Sequence, residues 1–400
     1  MLRRLVKYAD RVFGWSRSLD ELRDARKRPR IATGRVMKAL SVMMMARLGS
    51  LNSLEALRPK GWLRRWLGGE MPSADTLGRV AAQLAPEEVR RLLHRHYTRR
   101  RRNKGVYAWA FGLRPLIFDG HEAMASYHRH CPKCLSRTVH TAQGDRIQYY
   151  HRYVAALLAT PSRVLFLDAE PQEPGEDEMA CAKRLLERLL EVHPRAFTMV
   201  CGDNLYMNPD FCKLALRHRK HFIAVLKNEN RDLLKDARDL FTGRRPQRAQ
   251  RAKTQCLWWD LDGFTSWESI DTSVRVVRSV ETHSIRRQLT RESEEVRSEW
   301  VWVTSLPSHL ADTAAIVRLG HGRWDIENHG FNELANQWHA DHVYRHDANA
   351  LLVFWLLACL AYNLFHAFVS CNLKPALRSR HTTIYFAHMI CSELHQFAFP

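Results

Sequence analysis

From Ala348 to Val369 the chain runs for 22 residues without Asp, Glu, Lys or Arg. A stretch this long and apolar either spans a bilayer, whose hydrocarbon core is about 30 Å thick, or is wrapped on every side by protein. Asn349, Asn363 and His366 interrupt it, and no second run like it occurs. We therefore expect a fully buried core helix and no membrane partner, with a single membrane anchor as the alternative. A chain of 400 residues can build the necessary interior: 46% of it is hydrophobic and 10% aromatic, a globular composition of roughly two to four packed units.

The surface of such a protein must carry a large positive charge. The balance is +20, from 62 Lys and Arg against 42 Asp and Glu, which favours a polyanionic partner, with nucleic acid ahead of an anionic membrane face. Nine cysteines, an odd number, are scattered along the chain, several inside apolar runs. Met1–Tyr8 is basic, but no apolar segment follows it. A reducing cytoplasm fits this pattern better than a disulfide scaffold.

Residues 1–105 read as helical and basic. Ile31–Leu48 has helical apolar spacing. Ser73 or Asp75 can cap a helix bearing Leu77, Val80, Ala81 and Leu84, and Pro86 starts another through Val89, Leu92 and Leu93. Helix, short break, helix is compatible with a helix-turn-helix DNA reader. Arg99, Arg100, Arg101 and Arg102 follow, either as a phosphate grip or as a solvated linker.

The pattern then changes. Leu116-Ile117-Phe118, Ile147–Leu158 and Val164–Leu167 read as strands, Glu176–Val192 as a helix, Phe197–Val200 as a strand, Pro209–Arg219 as a helix and Phe222–Leu226 as a fifth strand. The order β-β-β-α-β-α-β is that of ribonuclease-H-like domains. Cys256–Leu261, Val274–Val280 and Trp300–Val303 suggest a β-rich insertion, and helical text returns from Ala311 to about Phe368. The expected fold class is α/β: a ribonuclease-H-like domain with a mixed five-stranded sheet over 106–230 and 306–370, interrupted by a β-rich insertion over 231–305. A helical DNA-binding domain over 1–105 precedes it and a tail over 371–400 follows it.

Asp119 and Asp203 each follow an apolar strand and sit beside glycine, where the chain is expected to leave the sheet. Such an Asp is either a turn former or a carboxylate presented to a cleft. Asp168 has the same setting. Glu327 lies on the helical stripe of Trp324, Phe331, Leu334 and Trp338. An ionised carboxylate there needs a partner, either Arg323 one turn earlier or bound cations. Three carboxylates from two strands and one helix suit two-metal phosphoryl transfer, and hard oxygen ligands select Mg²⁺ or Mn²⁺. Cys131 and Cys134 form a Cys-x-x-Cys near His128, His130 and His140. They read either as part of a structural zinc site or as a reduced hairpin loop.

The segment Gly322–Leu334 resembles the signature helix of bacterial insertion-sequence DDE transposases of the "insertion sequence four" superfamily, whose motif is Tyr-(2)-Arg-(3)-Glu-(6)-Lys. Arg323 and Glu327 match its Arg and Glu, whereas Gly320 and Leu334 stand where the family has Tyr and Lys. Phe118-Asp119-Gly120 is similar to the strand bearing the first Asp, and Val200–Tyr206 to that bearing the second. The resemblance implies catalytic, metal-binding Asp119, Asp203 and Glu327, two Mg²⁺ or Mn²⁺ ions, and Arg323 with Arg99–Arg102 at DNA. It also implies cleavage at terminal inverted repeats and 3′-hydroxyl attack on target DNA by a homodimer on paired ends, in a bacterial, nucleoid-associated setting. Some members form hairpin ends with an insertion tryptophan under a flipped base, for which Trp258, Trp267 and Trp300 are the candidates by type. Two other readings share the basic charge: a non-catalytic or inactivated DNA-binding protein, and a ribonuclease-H-like nuclease that does not join strands.

Overall fold

The protein is described by a computed structural model over residues 1–161, 163–228, 231–286 and 291–398. Its helical N-terminal part comprises α1 (Leu2–Phe13), α2 (Trp15–Asp20), α3 (Thr33–Met45), α4 (Leu51–Glu55), α5 (Gly61–Leu67), α6 (Ala74–Gln83) and α7 (Pro86–Arg102). The Ser73 hydroxyl accepts from the Thr76 N–H and so caps α6, while Pro86 occupies the first turn of α7, where a missing N–H costs nothing. The four arginines are the last turn of α7 rather than a linker, and Arg100 is buried while Arg99, Arg101 and Arg102 are exposed.

Four strands follow: β1 (Pro115–Ser126), β2 (Leu135–Thr141), β3 (Gly144–Thr160) and β4 (Arg163–Pro171). Then come α8 (Glu178–Val192), β5 (Met199–Gly202), α9 (Pro209–Arg217), β6 (His221–Val225), α10 (Asp232–Phe241), β7 (Gln247–Arg251), β8 (Thr254–Phe264), β9 (Val274–Arg286) and β10 (Ser293–Thr304). Among the described residues all ten strands join one sheet, in the order β2-β3-β1-β5-β6-β10-β9-β8-β7, with β4 paired to β3. The expected five-stranded sheet is thus too small. The insertion strands extend the same sheet, because β10 pairs antiparallel with β6. Strands β2 and β7 and helix α10 escaped the sequence reading. β2 and β7 are mostly exposed and polar, so neither carries the apolar alternation that marks a half-buried strand.

Alternation along the inner strands separates two cores. Leu116, Phe118, Val154, Ala156, Leu165, Leu167 and Val200 pack with α8, α9 and α10. Ile117, Ala155, Leu157, Phe166, Met199 and Cys201 face the opposite side, where the N-terminal helices join α11 (Thr313–Gly322), a π-helical turn (Ile326–Phe331), α12 (Asn332–Trp338) and α13 (Ala348–Asn372). Helix α13 contains the long uncharged run. It is enclosed by α1, α3, α6, α7, α12 and β4, and its most apolar stretch is wholly buried. Its polar residues have partners. The Asn349 amide donates to the Leu84 carbonyl at 2.6 Å. Asn363 accepts from the Phe166 N–H at 3.1 Å and donates to its carbonyl at 2.8 Å. His366 lies 2.9 Å from Glu333. An unpaired buried amide would cost about 1–3 kcal/mol, and Asn363 avoids that cost by bonding a strand backbone.

The expected C-terminal tail is also corrected. Residues 371–398 include α14 (Pro375–Arg380) and α15 (Thr383–Ala398), and Phe386, Ala387, Ile390 and Leu394 are buried beside α1. Residues 399 and 400 of that tail, and residue 230 at the expected domain boundary, lie outside the described residues.

Candidate active site

Strand β1 does not end at Asp119, as its sequence suggests. It continues to Ser126 in antiparallel register with β3, and Asp119 lies opposite Ala155. What ends nearby is the parallel pairing with β5, whose last partners are Ile117 and Cys201. Asp119 and Asp203 each stand two residues beyond that pair. Both therefore stand at the mouth between the two parallel strands, Asp119 on β1 and Asp203 just past the end of β5, near enough for the charge of Asp203 to act on Asp119. The Gly120 N–H donates to Asp119 Oδ1 at 2.9 Å, and the Leu205 N–H donates to Asp203 Oδ1 at 2.8 Å.

Glu327 arrives from the helical layer over that face, on the π-helical turn, which contacts β1. An extra residue per turn re-aims a side chain, and such turns are frequent at functional sites. Buried Arg323 joins the two layers. Its Nη1 lies 3.0 Å from Glu327 Oε1 and 3.6 Å from Asp119 Oδ2. The Arg323–Glu327 pair expected as one alternative is therefore present, and it includes Asp119 as well. The Glu327 side chain is 40% exposed, so it faces the rim and not the interior.

A fourth carboxylate was not foreseen. Glu178, in the first turn of α8, reaches Gly120 from the other side of β1, where a Cβ on residue 120 would collide with its carboxylate. The Tyr206 hydroxyl donates to Glu178 Oε1 at 3.1 Å, and Arg152 lies 3.2 Å from Oε2. The sequence hint was Gly120 itself, a residue without a side chain directly after a candidate Asp. Arg323 thus pairs with Asp119 and Glu327, and Arg152 with Glu178, while the charge of Asp203 also acts on Asp119. Burial drives the Asp119 carboxyl up to about 7. Arg323 opposes the rise, and the charges of Asp203, Glu178 and Glu327 add to it. Burial likewise raises Glu178, against Arg152. An excess of carboxylates with hard oxygen donors fits Mg²⁺ or Mn²⁺.

The two departures from the signature have a steric and a desolvation explanation respectively. A Cβ at Gly320 would run into the Trp302 indole, so a tyrosine has no room there. Leu334 is fully buried, where a lysine would be desolvated. Of the insertion tryptophans, Trp258 and Trp267 are core residues. Trp300 is half-buried, with its ring centroid 6.0 Å from that of the exposed Trp324.

Asp168 lies elsewhere and is fully buried. Arg90 Nε donates to its Oδ1 at 2.9 Å, Arg188 Nε donates to Oδ2 at 2.8 Å, and His94 Nε2 lies 3.2 Å away. Against the upward push of burial, these partners hold it far below the usual carboxylate range. Cys131 and Cys134 do come together, but with His151 and His346. His128 is exposed, His130 stacks on Tyr149, and His140 pairs with Asp145.

A family model described as a transposase DDE domain matches residues 115–364, more than half of the chain. The match begins with β1 and ends within α13, so it contains every carboxylate of the cluster. No curated protein matches the chain.

Proposed function

The chain belongs to the transposase DDE domain family, and from that premise we propose that it cuts and joins DNA at the ends of an insertion sequence, with Asp119, Asp203 and Glu327 as its metal-binding carboxylates. Family membership makes it a DNA phosphoryl-transfer enzyme of transposition and recombination, acting on the DNA of a mobile element, and enzymes of this family use divalent metals. The observation that carries the residue assignment is the shared ion pairing of Asp119 and Glu327 with Arg323, beside an Asp203 brought level with Asp119 by parallel register.

Two Mg²⁺ or Mn²⁺ ions, when bound, supply Lewis-acid stabilisation of the attacking and leaving oxygens. In cleavage, a water oxygen bonds to phosphorus as the 3′-oxygen departs. In joining, that 3′-hydroxyl attacks a target phosphate and displaces another 3′-oxygen. Each step makes one P–O bond and breaks one, and the hydroxyl proton passes to solvent. Arg323 bridges Asp119 and Glu327 and offsets their mutual repulsion. Glu178 and Arg152 brace Gly120, and with it the backbone that aims Asp119.

The order β4-β3-β1-β5-β6 inside the larger sheet supports a ribonuclease-H-like catalytic unit of the "insertion sequence four" type over 106–230 and 306–370, with the insertion over 231–305. Residues 1–105 bind DNA. On α7, Arg99, Arg101 and Arg102 face solvent, and Arg91 and Arg95 extend the exposed basic surface. Two ends held together imply at least a dimer. Trp300 and Trp324 offer a stacking surface at the rim for a displaced base.

The test uses duplexes carrying the element's terminal repeats. Asp119→Ala, Asp203→Ala and Glu327→Ala should each abolish Mg²⁺-dependent strand cleavage while DNA binding persists. Normal cleavage by any one variant removes that residue from the site. A pre-cut end with a free 3′-hydroxyl separates transposition from simple nuclease action, because only the former yields joined product.

A further inference from the structure

Away from the carboxylates, four side chains from three distant segments meet. Cys131 and Cys134 lie in the turn between β1 and β2, His151 on β3, and His346 in the loop between α12 and α13. Their ligand atoms all lie within 4.8 Å of one another. The two sulfurs are 3.8 Å apart. Cys131 Sγ and Cys134 Sγ stand 3.4 and 3.3 Å from His151 Nε2, and Cys134 Sγ is 3.6 Å from His346 Nε2.

Direct hydrogen bonding does not account for this arrangement. A single ring nitrogen has one proton or one lone pair, yet two sulfurs approach His151 Nε2 at equal range. Cys134 is likewise approached by two imidazoles. One central cation satisfies all four groups at once. Zinc lies about 2.3 Å from thiolate and about 2.0–2.1 Å from imidazole in tetrahedral sites, which places ligand atoms roughly 3.3–3.8 Å apart. The four close spacings, 3.3 to 3.8 Å, fall in that range, and the other two stay within 4.8 Å. The turn is also shaped for a thiolate pair: the Cys134 N–H donates to the Cys131 carbonyl at 3.0 Å, and the Cys131 N–H donates to Cys134 Sγ at 3.2 Å.

We propose that Cys131, Cys134, His151 and His346 form a tetrahedral zinc site that clasps the β1–β2 turn and β3 to the loop behind the Glu327 helix. Soft sulfur and borderline imidazole ligands select zinc, whereas the hard carboxylate cluster selects magnesium, so the two sites do not compete for one metal. Its position gives it a purpose. His151 pairs with Met124 at the bulge of β1, on the strand that carries Asp119. His346 follows the helical segment that carries Glu327, and 212 positions separate it from Cys134. A bound ion ties the two layers together beside the candidate active site. The site stands independently of any catalytic role for the carboxylates.

The full chain, produced in zinc-supplemented medium, should retain about one zinc per chain, and Cys134→Ser should lose most of it. Cobalt(II) exchanged into the unaltered chain should give the intense visible absorption of a tetrahedral thiolate site. Removing zinc with a chelator should speed amide exchange in 127–134 and 339–347 while leaving α8 unchanged. Asp119→Ala should keep its zinc, so a failure of the catalytic reading leaves this result untouched. Cys134→Ser retaining the zinc of the parent overturns the proposal, as does an unaltered chain that takes up neither zinc nor tetrahedral cobalt. If Cys134→Ser does not fold, the cobalt spectrum of the parent and the zinc content of His346→Asn decide instead.

Discussion

Asp119 and Asp168 look alike in the sequence and flank the same strand, β3, in the fold. Each follows an apolar run, and they pair with adjacent residues of β3, Ala155 and Ala156, from its two edges. Their surroundings are opposite in electrical sense. Around Asp168, Arg90 and Arg188 close a buried network that they share with Glu170, and His94 adds a further contact, so that each carboxylate there is matched by a guanidinium. Around Asp119, three further carboxylates contribute like charge and one buried arginine opposes them. The first arrangement is complete and holds α7 and α8 to the sheet. The second lacks positive charge, which bound divalent cations can supply. A buried carboxylate thus marks a candidate reactive site only when its local charge is unbalanced.

The largest difference between the two should appear in activity. Asp119→Asn keeps shape but removes charge. Cleavage should fall by more than the roughly 10–100-fold typical of losing an outer-shell partner, while metal-free stability at pH 8 should rise by about 1 kcal/mol or more as like-charge repulsion is relieved. Cleavage by gel assay and urea unfolding check both, and a destabilised Asp119→Asn would break the contrast.

Asp168→Ala should do the reverse. Loss of the carboxylate removes one partner each from the buried Arg90 and from Arg188, which keep Glu170, at a cost of about 1–3 kcal/mol in denaturant unfolding. Cleavage per folded molecule should stay near that of the parent at low temperature. Selective loss of cleavage in a stably folded Asp168→Ala would move that residue into the active site.

The pH profiles should also diverge. The folded Asp119 value of about 7 exceeds the roughly 3.9 of an unfolded Asp. Between these values the folded state holds the extra proton, so metal-free stability falls as pH rises, by at most about 1.4 kcal/mol per pH unit from this group. Mg²⁺ should flatten that decline. Asp168 lies below its unfolded value, so its contribution is whole above the ordinary Asp range and is lost as pH falls. Thermal melts of parent, Asp119→Asn and Asp168→Asn from about pH 2 to about 8 separate the two slopes. Equal slopes in parent and Asp119→Asn would remove the charge imbalance.

The smallest effect concerns the four arginines of α7. Arg101→Ala or Arg102→Ala should weaken DNA binding a few-fold and lower the log–log salt slope by about 0.9 for each phosphate no longer neutralised, with unchanged melting. Arg100→Ala should lower the melting temperature instead. Indistinguishable behaviour of the three variants in salt titrations would deny the inward orientation of Arg100 any consequence.

Much of this protein was legible from side-chain periodicity. The strand cores at 116–118, 147–158 and 222–226, the Ser73-capped helix α6, the Pro86-opened helix α7 and the buried nature of α13 follow from which residues shun water and at what spacing, because backbone geometry assigns faces locally. Polar β2 and β7 left no such trace. The same limit applies to chemistry. Asp119, Asp203, Glu327 and the Cys131–Cys134 pair were readable as residue types in context. The identity of their partners was not: Glu178 reaches Asp119 only across Gly120, and His151 and His346 reach the cysteines only through folding. What separates Asp119 from Asp168 is the charge around each, and that charge comes from residues far along the chain, such as Arg90, 78 positions from Asp168. Coulombic compensation acts through space and follows no period along the chain. Residue order set where acidic groups could stand, and folding alone settled which of them would be left short of positive charge.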